Sequence, residues 1–75
     1  MAEPVREKAI NVRVNGEQRS IAGGSTIVTM LESIGLDPRR VAVERNLEVV
    51  PRSTLGEVHV RDGDAFEIVH FVGGG

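Results

Sequence analysis

Apolar and polar residues alternate from Ile10 to Val14, with Asn11 and Arg13 set between Ile10, Val12 and Val14. A period of two places the apolar side chains on one face of a strand. Asn15-Gly16 follows, the favoured pair for a two-residue type I′ turn, and Gln18 to Ala22 reads as the returning strand. The pattern predicts a hairpin over residues 9–22. The period then changes. Gly23-Gly24 breaks the strand, and Ser25 is placed to cap a helix by accepting an orphan N–H. Ile27, Met30, Leu31 and Ile34 fall at i, i+3, i+4 and i+7, one face of a helix over about residues 26–34. Gly35 suits the left-handed position after the helix, Leu36 can fold back on its last turn, and Asp37-Pro38 closes the exit.

The period of two returns at Val41 and Val43, which alternate with Ala42 and Glu44. Asn46-Leu47 sits at a turn, and Glu48 to Val50 makes a short strand ended by Pro51. "RSTLGEVHV" has no strict period, with room for one helical turn near Ser53 to Leu55. "RDGD", residues 61–64, is a tight turn by composition. In "AFEIVHFV" Phe66 and Ile68 share one face, and Val69 and Phe71 share the other. A strand apolar on both sides suits the middle of a sheet. The order β-β-α-β-β-β has one helix, too little to cover both faces, so a two-layer α+β domain is expected, with the helix across one face.

Composition narrows the function. At 75 residues the chain is one small domain, with 40% hydrophobic and 27% charged residues, an ordinary soluble balance. It has no cysteine, so neither a disulfide nor a thiol nucleophile is available, which fits a reducing, cytoplasmic setting. The net charge is -2 and the basic residues are spread along the chain, which argues against a nucleic-acid partner. No apolar run approaches the ~20 residues of a membrane span. "MAEPVREK" has no apolar core of a signal peptide and reads as a flexible arm, residues 1–8. Residues 9–72 form the domain, and Gly73, Gly74 and Gly75 a flexible tail.

Most candidate chemistry is better explained by structure. His59 and His70 have no ligand spacing for a metal. The carboxylates of "RDGD" lack the spaced set of a calcium loop. Gly23-Gly24 is not followed by the Lys-Ser/Thr of a phosphate loop, and the serines have no paired base. Arg39 and Arg40 read as a solvated turn. No catalytic residue is assigned, and the chain reads as a non-enzyme. Val69 and Phe71 differ: if the helix covers the Phe66 face, both are exposed beside the tail and form a candidate docking pair.

The element order and the terminal glycines resemble the β-grasp, or ubiquitin-like, fold. The segments "VNGE", "GLDPRRVAVERN", "VVPR" and "RDGDAFEIVHFVGGG" are together similar to the ThiS family, the sulfur carriers of thiamine biosynthesis. One position departs: the turn after the third strand reads Asn46-Leu47, where Asn-Gly is expected. The resemblance implies that the carboxylate of Gly75 is the working group. A ThiF-type adenylyltransferase would activate it with ATP and magnesium, while the carrier itself binds no cofactor. A cysteine desulfurase, directly or by relay, would supply sulfur to form a thiocarboxylate, and thiazole synthase would accept it. Two related readings remain open: a carrier for another pathway such as molybdopterin synthesis, and a β-grasp ligand-binding module. A ubiquitin-like modifier is a third, with Lys8 the sole lysine.

Overall fold

The computed structural model describes residues 8–71. The expected arm (1–8), apart from Lys8, lies outside that range, as does the expected tail with Val72. The first hairpin pairs β1 (Ala9–Val14) with β2 (Glu17–Ala22) in antiparallel register, Val14 opposite Glu17. Asn15 and Gly16 both have positive φ, 52° and 83°, as a type I′ turn requires.

Helix α1 spans Ile27–Ser33. Its cap is Thr26, not the expected Ser25. Thr29 N–H donates to the Thr26 hydroxyl while the Thr29 hydroxyl accepts from Thr26 N–H, a reciprocal capping box. Ser25 instead donates its hydroxyl to the Ala22 carbonyl at 2.7 Å, closing the turn one residue earlier. The C-terminus follows the expected pattern. Gly35 has φ +85°, its N–H donates to Glu32 O, and Leu36 N–H reaches back to Leu31 O. Pro38–Arg40 forms a 3-10 turn capped by Asp37.

Next come β3 (Val41–Arg45), β4 (Glu48–Val50), a second 3-10 turn (Arg52–Thr54) and β5 (Ala65–His70). The expected last strand is shorter than its apolar run, because Phe71 lies beyond the final ladder residue. The five strands lie in the order β2-β1-β5-β3-β4, with β5 parallel to β1 and antiparallel to β3. β5 is therefore central, as its two apolar faces require. Ile27, Met30 and Leu31 of α1 are fully buried against Val12, Val41, Val43 and Phe66. That face is the core, and the other is open.

Two asparagines fasten the centre. The Asn15 side chain accepts from Ile68 N–H at 2.7 Å and donates to Ile68 O at 3.1 Å, extending the β1–β5 ladder past the end of β1. Asn46 accepts from Ala65 N–H and donates to the buried Asp64 carboxylate. Asp64 also accepts from Arg61 N–H at 2.9 Å and faces Arg45 at 3.5 Å. The "RDGD" turn is thus more than a loop: its last residue is buried, 6% exposed, and joins the β3–β4 turn to the start of β5.

Candidate functional site

The alternation of β5 sends Glu67 and Val69 to the face opposite α1. Val69 stands opposite Ala42 of β3, and Glu67 opposite Glu44. Val69 is 63% exposed and Phe71 53%. Both side chains are therefore exposed, Val69 on the open face of β5 and Phe71 just beyond its last residue. Val49 of β4, also exposed, was absent from the sequence reading of this face. Together with Phe71 and Ala42 it borders a shallow, mostly apolar recess of about 200 Å³.

Phe71 does not dangle. Its N–H donates to the Arg40 carbonyl at 2.9 Å. The Arg52 guanidinium lies 4.9 Å from the centre of its ring, within cation–π range, and donates from Nη1 to Arg39 O at 3.1 Å. One arginine thus ties together the β4 exit, the turn before β3 and the last described residue of the chain. Sequence reasoning missed Arg52. Its only local signal is the Pro51 before it, which stops β4 and turns the chain back toward the β3 start.

Arg39 and Arg40 are exposed and both reach Asp37, at 3.2 Å and 3.6 Å. The side-chain hydrogen bond from Arg39 holds the Asp37 carboxyl below its ordinary value of 3.8, helped by the Arg39 backbone N–H. The backbone of this turn adjoins the end of β5, where the Arg40 carbonyl accepts from Phe71 N–H. At the opposite end of the open face, Glu44 and Glu67 stand side by side, and neither joins an ion pair among the described residues. Like charges directly across a strand pair are unfavourable.

Gly73, Gly74 and Gly75 lie outside the described residues. His59 forms an isolated bridge with Thr26 in the backbone, and His70 is exposed at the end of β5. Among the described residues no group of three metal-ligating side chains converges. Nor is any described helix long and apolar enough to cross a membrane.

Comparison with known proteins matches residues 12–75 to the ThiS family. The chain is 52% identical over 62 residues to a thiazole synthase of Paramagnetospirillum magneticum, covering 83% of this chain. It spans only 19% of that synthase's length. It is 48% identical over 50 residues to the sulfur carrier protein ThiS of Bacillus subtilis, covering 67% of this chain and 76% of that one. The crystal structure of a thiamine biosynthesis protein, ThiS, from Geobacter metallireducens superposes with a TM-score of 0.71 at 33% identity, covering 88% of this chain and all of the other.

Proposed function

The chain belongs to the ThiS family, and on that premise we propose that it is a sulfur carrier whose Gly75 carboxylate becomes a thiocarboxylate for the thiazole of thiamine. The observation that carries this reading is the family match, which covers residues 12–75.

A carboxylate resists attack because its carbonyl carbon is electron-rich. A ThiF-type adenylyltransferase with ATP and magnesium would convert it to an acyl adenylate, releasing pyrophosphate. The terminal sulfur of a persulfide, supplied through a cysteine desulfurase, then displaces AMP. A second thiol cleaves the resulting S–S bond and leaves the thiocarboxylate. The carrier contributes no catalytic group to these steps. Its three terminal glycines have no side chains to obstruct a narrow channel. Ordering such a segment costs roughly 1–2 kcal/mol per residue, so the body must provide the affinity. In this reading that affinity comes from Val69, exposed on β5, and from Phe71, which is tied to Arg52 and to the Arg40 carbonyl. Thiazole synthase is the acceptor in this reading, and the cytoplasm the compartment.

Pyrophosphate release tests it. The cognate ThiF-type enzyme with ATP and magnesium should release pyrophosphate only when the carrier is present. A chain extended by one alanine after Gly75 should not support release. Equal release with the extended chain would exclude the terminal carboxylate as the activated group.

A further inference from the structure

The β3–β4 turn contains a residue that is unfavourable twice over. Asn46 and Leu47 have φ of 51° and 72°, so the turn is the same type I′ form as Asn15-Gly16, with leucine where glycine would sit without strain. Leu47 is also 89% exposed, more than Val49, Val69 or Phe71. It therefore costs conformational energy and shows an apolar side chain to water, nearly uncovered by the described residues. It is nevertheless held firmly. Asn46 N–H donates to Ala65 O at 2.8 Å, and the Asn46 side chain bonds both Ala65 N–H and the buried Asp64. Strain retained at a rigid, exposed point calls for a use outside the fold.

We propose that Leu47 is an anchor for a partner protein, inserting into an apolar recess whose rim carries Lys or Arg. The rim chemistry follows from what surrounds the leucine. Glu48 is its neighbour, and Glu44 and Glu67 stand together on the adjoining open face. Of the cations at this end of the sheet, Arg45 is occupied by Asp64 inside the molecule, and Arg13 lies opposite Ala65 on the β1 side. Glu44, Glu48 and Glu67 thus give one side of the anchor a negative bias, and a cationic rim there would relieve the Glu44–Glu67 repulsion on binding. This contact lies at the far end of the open face from Phe71 and the β5 exit, so it adds a second point of attachment and fixes the domain's orientation. The partner assigned to it is the sulfur acceptor, thiazole synthase. Resting on the proposed function, that assignment draws on the relative in which a domain like this one shares a polypeptide with the synthase.

The test is Leu47→Gly, which removes the side chain and the strain together. Relief of the left-handed leucine should raise the melting temperature by about 4–8 °C in a domain of this size. Affinity for the purified cognate thiazole synthase, measured by titration calorimetry, should fall roughly tenfold, as for loss of a central apolar anchor. Leu47→Asn, which tolerates the same backbone, should bind as weakly and guards against an effect peculiar to glycine. Wild-type binding should also weaken with added salt, less so for Glu44→Gln. Unchanged synthase affinity in both Leu47 variants would overturn the anchor while leaving the sulfur-carrier reading intact. Loss of affinity only for the ThiF-type enzyme would overturn the assignment to the acceptor. A wild-type domain that binds no synthase at all would overturn the acceptor in the proposed function and this inference with it.

Discussion

On β5, Phe66 and Ile68 are 1% and 6% exposed, while Val69 on the opposite face is 63% exposed. The two sets alternate along one strand, yet they serve different ends. The inner set meets Ile27, Met30 and Leu31 of the helix and carries the stability of a domain with little core to spare. The outer set meets no second layer among the described residues. It runs from the paired carboxylates Glu44 and Glu67, through Ala42 and Val69, to Phe71 under Arg52. One strand can thus divide two tasks between its two faces: holding the fold and, in the proposed function, presenting its end to other proteins. If this division is real, substitutions on the inner face should damage folding, and those on the outer face should damage binding alone.

Phe66→Ala should give the largest effect. It empties the largest fully buried side chain and should cost about 3–5 kcal/mol, read as a lower urea midpoint. A cost below about 1 kcal/mol would mean that the core can close without it. Asp64→Ala should come next, at about 2 kcal/mol, because the Arg61 N–H and the Asn46 amide lose their buried acceptor. Its melting curve should show the loss even though the residue lies at the end of a turn. Phe71→Glu should change stability by no more than about 0.5 kcal/mol while weakening binding to the activating enzyme roughly tenfold. Circular dichroism and calorimetry separate the two readouts, and an unfolded Phe71→Glu variant would break the division of faces.

The smallest effect is electrostatic. Asp37 has a depressed folded-state pKa, so its ion pairing with Arg39 contributes above the ordinary value of 3.8 and is lost as pH falls through the lower folded value. Carboxyl chemical shifts followed through an acid titration should place the Asp37 midpoint below 3.8, and Arg39→Ala should bring it back up. An unmoved midpoint in that variant would remove the Arg39 hydrogen bond as the cause.

Much of this was legible because it was local or periodic. The alternation at Ile10 to Val14, the helix stripe at Ile27 to Ile34 and the doubly apolar β5 each named an element and its face. Asn15-Gly16 and Gly35 fixed their turns through backbone constraint. What escaped depended on long-range pairing. Thr26 and Ser25 compete for the same cap, and the Ala22 carbonyl decides between them. Asp64 looked like turn chemistry until Arg45 and Asn46, far back in the chain, were brought to it. Arg52 gave no signal in the sequence beyond Pro51, and only the fold sets it over Phe71. Leu47 was visible as a departure from Asn-Gly, but its exposure and left-handed backbone were not.

The central claim is that Gly75 carries the sulfur. The carrier should be incubated with ATP, magnesium, the cognate ThiF-type enzyme and a persulfide donor, then cleaved after Arg61 and analysed by mass spectrometry. The fragment from Asp62 to Gly75 contains no methionine, so oxygen gained by oxidising Met1 or Met30 cannot be mistaken for a change there. The account predicts that this fragment exchanges one oxygen for sulfur and reacts with a thiocarboxylate-selective azide. An unmodified fragment, in a mixture where the partners are shown to be active on another carrier, would contradict it.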